Sequence, residues 1–331
     1  MGIFVNGGLD EFHQHRDTDG NIINASDGGI IFADGAYHWY GQALQAKPFA
    51  GRGAGGQVTV TGVNMYASRD LIHWEYEGVV LKCSGDENSP LRAPMRFERP
   101  KILYNKATNK YVLWCHYVGY PGDHDFTDKG AEALVAVSDR VNGEYTLVDI
   151  TRPIDRLGFV RDCSVFQDED GSAWFIYDRQ ISHSFKPVLE PFERCLHIVK
   201  LSGDYLSFTD EWARIDAADQ REAPCLVKHA GCYYMITSGL TGWEYNQAKY
   251  FRSRQLLTGW EDMGDPCVGD KEKTTFRTQG TYIFKTATGR DILMCERHNT
   301  RNFLECSYIW MPIEYTDNGG LRLCYREQFE I

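Results

Sequence analysis

Apolar residues along this chain fall into short runs, many alternating with polar positions, and the 3.6-residue spacing of helices is nearly absent. Five turn-plus-strand segments resemble one another and recur about every sixty residues. They are Gly35-Ala-Tyr-His-Trp-Tyr-Gly, Asn109-Lys-Tyr-Val-Leu-Trp-Cys, Gly171-Ser-Ala-Trp-Phe-Ile-Tyr, Gly231-Cys-Tyr-Tyr-Met-Ile-Thr and Gly289-Arg-Asp-Ile-Leu-Met-Cys. Each follows another apolar strand: Gly29-Ile-Ile-Phe, Lys101-Ile-Leu-Tyr, Ser164-Val-Phe-Gln, Cys225-Leu-Val-Lys and Thr281-Tyr-Ile-Phe. Later strands such as Ala133-Leu-Val-Ala-Val and Ser307-Tyr-Ile-Trp-Met close the repeats and end at Asp, Gly or Ser turns. Evenly repeated hairpins at this period predict an all-β, five-bladed β-propeller. In such a ring the residues that open each blade's first strand converge on one axis.

The repeats run nearly from end to end without a Pro- or Ser-rich linker, so residues 1–331 are expected to form one domain with no appended carbohydrate-binding module. The Gly-rich stretch Ala46–Gly62 is low in apolar residues and is expected to be a long loop of blade one that shapes a binding site.

Charge and cysteine content narrow the function classes. A net charge of −11, spread along the chain, argues against nucleic acid as a partner, because that binding depends on Lys and Arg neutralising phosphates. No run approaches the ~18 apolar residues of a membrane span, so no membrane partner is expected. The ten cysteines are scattered singly without C-x-x-C spacing and read as buried reduced thiols. With no basic segment followed by a long apolar run at the N-terminus, the expected location is cytoplasmic.

Polar residues stand immediately before each first strand: Asn24-Ala-Ser-Asp27-Gly-Gly, Phe97-Glu98-Arg-Pro-Lys101, Val160-Arg-Asp162-Cys-Ser, Gln220-Arg-Glu222-Ala-Pro and Arg277-Thr-Gln279-Gly-Thr. A propeller would gather Asp27, Glu98, Asp162, Glu222 and Gln279 at the same point of successive blades. Clustered carboxylates with aromatic neighbours and no metal-ligand spacing suit hydrolysis of a glycosidic bond. That reaction needs a protonated acid on the leaving oxygen and a base or nucleophile on the other ring face. Plainer readings exist for each residue. Asp27 before two glycines can be a turn former, Glu98 a local partner of Arg99 and Lys101, and Asp162 a partner of Arg161 or Arg221. Trp39, Trp114 and Trp174 lie within strands and are expected to pack, whereas Trp243 in a Gly-rich turn can either pack or stack on a sugar. His116, His197 and His298 read as core or rim residues rather than metal ligands.

Several longer runs resemble glycoside hydrolase family 43, and within it the exo-β-1,3-galactanase branch. They are Asp17-Thr-Asp-Gly-Asn-Ile-Ile-Asn-Ala, Tyr66-Ala-Ser-Arg-Asp-Leu-Ile-His-Trp, Glu98-Arg-Pro-Lys-Ile-Leu-Tyr-Asn, Arg221-Glu-Ala-Pro, Thr237-Ser-Gly-Leu-Thr-Gly-Trp and Thr275-Phe-Arg-Thr-Gln-Gly-Thr-Tyr. The resemblance implies a five-bladed propeller and an inverting mechanism. It implies that Glu222 is the general acid, that Asp162 orients it and raises its pKa, and that Glu98 contacts the sugar. Gln279 matches a glutamine that holds the attacking water where the usual aspartate base is lacking. Thr241, Trp243 and Asn246 fall in a motif bordering the sugar site.

Two positions depart from that branch. It reads His-Gly where this chain has Ser26-Asp27, and Asp27 falls where ordinary family members place their base. It commonly has glutamate where this chain has Gln42, which also lies near the sugar site. The implied function is an inverting exo-glycosidase acting on an oligosaccharide, galactose from β-1,3-linked galacto-oligosaccharides being the leading substrate. α-L-Arabinofuranosidase, β-xylosidase and β-galactofuranosidase activities, or a non-catalytic sugar-binding propeller, are the alternatives. No cofactor is expected to be required. Many members of the family carry a calcium or sodium ion in the axial channel, which nothing in this sequence demonstrates.

Overall fold

Five four-stranded antiparallel sheets follow one another along the chain, each made of four consecutive strands. The computed structural model describes residues 2–46, 58–92, 96–118, 131–154, 158–180, 194–217 and 219–331. The first strands of the five sheets are Ser26–Ala33, Arg96–Asn105, Phe159–Gln167, Arg221–His229 and Gln279–Lys285. Each lies against the first strand of the next sheet, and the fifth returns to the first, so these strands ring a central axis. This is the five-bladed propeller that the repeats predict. Among the described residues the helical content is a single 3-10 turn, Phe303–Glu305.

Aromatic and β-branched residues favour these pleated, buried positions. The core is divided into five apolar clusters, one between each pair of neighbouring blades. Trp39 and Trp114 are fully buried in two of them and Trp174 is buried in a third, so all three pack rather than face a ligand. A blade therefore cannot shift without exposing apolar surface on both sides, at about 1.5–3 kcal/mol per large side chain.

The stretch Ala46–Gly62 is not one loop. The second strand of blade one runs through Ala36–Ala46 and the third begins at Val58, pairing Ala46 with Val58. The remainder of that expected loop, 47–57, lies outside the described residues.

The ring is tied shut by the chain ends. Ile3–Val5 pairs antiparallel with Gln328–Glu330, and the Phe4 ring stacks on Trp310 at 3.9 Å. Asn6, wholly buried, donates to the carbonyls of Trp310 (2.9 Å) and Arg326 (2.8 Å) and accepts from the Trp310 N–H (2.8 Å). One end of the axis holds a cavity of about 470 Å³ whose lining mixes Ile31, Leu103, Val165 and Ile283 with charged residues such as Asp168 and Lys228. The bulged starts of the inner strands, with the candidate site residues, lie at the opposite end.

Replacing Asn6 by Ala leaves both buried backbone groups of Trp310 without their partner, at about 1–3 kcal/mol for each unsatisfied group. The N6A variant is expected to lose about 2–4 kcal/mol in chemical denaturation, as long as unfolding stays two-state. A change below 0.5 kcal/mol would show that the terminal ribbon does not hold the ring.

Candidate active site

All five inner strands are interrupted by a β-bulge near their start. At the start of the bulge stand Ser26, Glu98, Val160 and Glu222, paired across the sheet with Gln42, His116, Arg179 and Ser238; in blade five Gln279, paired with Glu296, stands one residue ahead of the bulge at Gly280. The five residues expected at one point of successive blades thus occupy two levels. Glu98, Glu222 and Gln279 share a ring with Asp162, which lies in its bulge opposite Asp178, and Asp27 stands one residue later within its own bulge. The bulge is the reason: an inserted residue breaks strict alternation and re-aims neighbouring side chains. Asp27, Arg99 and Ala223 take left-handed φ values of 54°, 52° and 53° in their bulges, a region uncommon for residues other than glycine and more so for Arg and Ala than for Asp. In blade one the bulge also needs Gly28, where a Cβ would lie 1.6 Å from the Tyr40 carbonyl oxygen.

Arg99 joins these levels. Its Nε lies 3.0 Å from Asp162 Oδ2, its Nη2 donates to Gln279 Oε1 (2.7 Å), and its Nη1 donates to the Gly280 carbonyl (3.0 Å). Nη2 is also 4.0 Å from Asp27 Oδ1. Asp162 thus faces Arg99 of the preceding blade, and Glu98 lies 3.1 Å from His116 Nδ1.

Gln279 in turn donates from Nε2 to Glu222 Oε1 (3.2 Å) and to Ser238 Oγ (3.1 Å). The other oxygen of Glu222 accepts from Arg194 Nη2 at 3.2 Å, and Arg194 is also ion-paired to the wholly buried Asp178. Burial, reinforced by the Asp162 charge, pushes the Glu222 carboxyl up to about 8 against the opposing pull of Arg194, Arg99 and the Gln279 amide. Glu222 is therefore a carboxyl that keeps its proton near neutral pH.

Asp27 is built differently. Its Oδ2 accepts from Gln42 Nε2 (3.0 Å), its N–H donates to Glu296 Oε2 (2.8 Å), and its carbonyl accepts from Lys101 Nζ (2.8 Å). Its Oδ1 is buried without a hydrogen-bond partner, 4.0 Å from Arg99 Nη2 and 4.0 Å from His298 Nε2. His298 is thus a neighbour of the site rather than a plain core residue, and burial lowers its pKa so that the ring stays neutral. Asp27, Glu296 and His298 bring one ligand atom each within 4.8 Å of one another. Such a set offers the donors an axial cation would use. A cation there would compete with the hydrogen bonds that Glu296 already accepts from Ser26 Oγ and the Asp27 N–H.

The motif after blade four's second strand divides by role. Asn246 is consumed locally: it accepts from Ser238 Oγ (3.1 Å) and the Gly239 N–H (2.6 Å) and donates to the Gly239 carbonyl and Thr241 Oγ1. It therefore reaches the carboxyls only through Ser238 and Gln279. Thr241 is exposed and bonds the Glu244 carbonyl. Trp243 is half-buried and edge-on to His298 (5.0 Å) and Phe303 (5.1 Å), one ring away from Asp27.

Sequence reasoning missed Arg99 as a hub, as well as Arg194, Asp178, Ser238 and Glu296. A signal for most of the missed set was present. Gln42, His116, Asp178, Ser238 and Glu296 are each the seventh residue after the turn residues Gly35, Asn109, Gly171, Gly231 and Gly289, and each is polar at the end of an apolar run.

The model of Glycosyl hydrolases family 43 matches residues 27–320. A family 43 β-1,3-galactosidase solved with galactodeoxynojirimycin superposes with a TM-score of 0.83 at 29% identity, covering 99% of this chain and 100% of that one. A second family 43 β-1,3-galactosidase gives a TM-score of 0.83 at 27% identity, covering 99% of this chain and 63% of that one. An exo-β-1,3-galactanase from Clostridium thermocellum gives 0.80 at 31% identity, with 99% of this chain and 66% of that one covered. Among curated proteins, none matches the chain.

A carboxyl raised in the fold binds its proton more tightly folded than unfolded. Its contribution to stability is complete below the ordinary value of 4.5 and is lost as pH rises through about 8. The melting temperature is expected to fall between pH 5 and pH 8.5, and less steeply in Glu222→Gln. Equal slopes in the two proteins would contradict the protonated state of Glu222.

Proposed function

The chain belongs to glycosyl hydrolases family 43, and on that premise we propose that it is an inverting exo-glycosidase that releases terminal galactose from β-1,3-linked galacto-oligosaccharides. The observation that carries this reading is the contrast between two buried carboxyls. Glu222 has its proton affinity raised to about 8, whereas Asp27 offers an unbonded oxygen beside the Arg99 guanidinium. The first suits a general acid and the second a general base. They are joined through Arg99 and the Gln279 amide and not by a bond to each other, and inversion asks that the two carboxyls stand apart to leave room for a water.

In this mechanism Glu222 gives its proton to the leaving glycosidic oxygen while Asp27 Oδ1 takes a proton from the water that attacks the anomeric carbon. Asp162 raises the acid's proton affinity, and Arg99 holds Asp162 in place. The Gln279 amide directs its N–H groups to Glu222 and Ser238 and its oxygen to Arg99. Its geometry favours organising the acid over activating water, which leaves the water to Asp27. Glu98, 18% exposed at its side chain, and the half-buried Trp243 stand at the rim where hydroxyls and the apolar face of a sugar would be read. The galacto-configuration rests on the named substrates and ligand of the similar structures. Gln42 commits an amide N–H to Asp27, where the galactanase branch commonly has glutamate. That difference favours, as second reading, a sugar with another hydroxyl pattern on the same machinery.

Glu222→Gln is expected to lower kcat on β-1,3-galactobiose about 10²- to 10⁴-fold, with a much smaller loss on an aryl galactoside whose leaving group needs no proton. Asp27→Asn should be crippled on both substrates, and NMR of the first product should show α-galactose. Wild-type rates for Glu222→Gln on the disaccharide, or β-galactose as the first product, would refute the assignment. Turnover of an arabinofuranoside or xyloside in place of galactosides would shift the reading to the second one.

A further inference from the structure

Asp27 sits in the left-handed backbone region, φ +54°, inside a bulge that must aim its carboxylate at the axis. Both backbone polar groups of this one residue are taken by side chains of other blades. Its N–H donates to Glu296 Oε2 (2.8 Å) from blade five, and its carbonyl accepts from Lys101 Nζ (2.8 Å) from blade two. Glu296 also receives the hydroxyl of Ser26, the residue just before the bulge, at 2.9 and 3.1 Å to its two oxygens. Lys101 Nζ donates in addition to the Pro100 carbonyl (3.2 Å), within blade two's own bulge. Glu296 and Lys101 are both wholly buried. Burying an ionisable side chain is costly unless it is bonded, yet neither of these spends a bond on a sugar-facing group.

We propose that Glu296 and Lys101 are positioning residues that clamp the Asp27 bulge from its two sides and so fix where the Asp27 carboxylate points. The pair acts through the backbone: the carboxyl of Glu296 holds the N–H, the ammonium of Lys101 holds the C=O, and together they fix the peptide planes on either side of the Cα. Gln42 then sets the remaining side-chain rotation by its bond to Oδ2. The bulge would otherwise relax toward ordinary β geometry, turning Oδ1 away from the axis. This inference rests on Asp27 serving as the base. It goes beyond that assignment in naming what holds the base in place and in locating the hold on two blades that contribute no reacting group of their own.

The test is a set of double-mutant cycles on a 4-nitrophenyl β-galactoside, with melting temperature recorded for each variant. Glu296→Leu and Lys101→Met are each expected to lower kcat about 10- to 100-fold, as displacement of a reacting group by about 1 Å does, with KM within about twofold. Glu296→Gln keeps one acceptor oxygen for the Asp27 N–H and should recover most of the loss. In the Asp27→Asn background either substitution should change the residual rate by less than about twofold, because the clamp then has no base to aim. Losses of the same size in both backgrounds, or wild-type kcat for the Leu and Met variants, overturn the clamp while leaving Asp27 as base. If Asp27→Asn itself turns over at the wild-type rate, the base assignment falls and the clamp with it. Should Glu296→Leu fail to fold, Lys101→Met completes the cycle from the other side of the bulge.

Discussion

The site is organised by a buried guanidinium. Arg99 is 3% exposed and reaches Asp162, Gln279 and the Gly280 carbonyl, with Asp27 4.0 Å away. Carboxylates gathered on one axis repel one another, and in a low-dielectric pocket they would share protons indiscriminately. The fixed cation lies 3.0 Å from Asp162, and the Asp162 charge helps burial to keep the proton on Glu222. The cation therefore does not neutralise the site evenly. It sits against Asp162 and near Asp27, while burial pushes the carboxyls of both Glu222 and Glu296 up to about 8.

Arg99 can do this because the fold delivers it there. Five apolar clusters between blades fix the ring, and the ring fixes the starts of the five inner strands. In a regular strand consecutive side chains face opposite sides, so a blade could offer the axis only every second residue. The bulges remove that limit. Blade two directs Arg99 to the axis next to Glu98, and blade three adds Asp162 from within its own bulge. Strain at Asp27 and Arg99 is the cost, offset by hydrogen bonds from neighbouring blades.

Much of this architecture was legible in the sequence, for definite reasons. Glycine-marked turns followed by aromatic and aliphatic runs announce hairpins, and their even spacing announces blades. Asp27, Glu98, Asp162, Glu222 and Gln279 stood out because charge or amide groups interrupt apolar runs at blade starts. Their levels in the ring were not legible, since a bulge is a register shift between strands and leaves no mark on one of them alone. Lys101 read as a strand start and a local partner of Glu98, although it is wholly buried and its ammonium bonds the Asp27 carbonyl while Glu98 faces His116. Arg194 opens the third strand of blade three, and nothing in its neighbours signals that it will reach Glu222 in blade four. The polar seventh residue after each turn was visible and undervalued, because a single such residue is usual at a strand end and only the fivefold recurrence is informative.

The central claim is that separate blades place an acid and a base on opposite faces of one sugar ring at the bulged end of the axis. A crystal structure of the Glu222→Gln variant with β-1,3-galactobiose tests it most directly. The account predicts the glycosidic oxygen within hydrogen-bond distance of the substituted side chain, and a water between Asp27 Oδ1 and the far face of the anomeric carbon. A disaccharide bound away from the axis, or with Asp27 on the same face of the ring as Glu222, would contradict it.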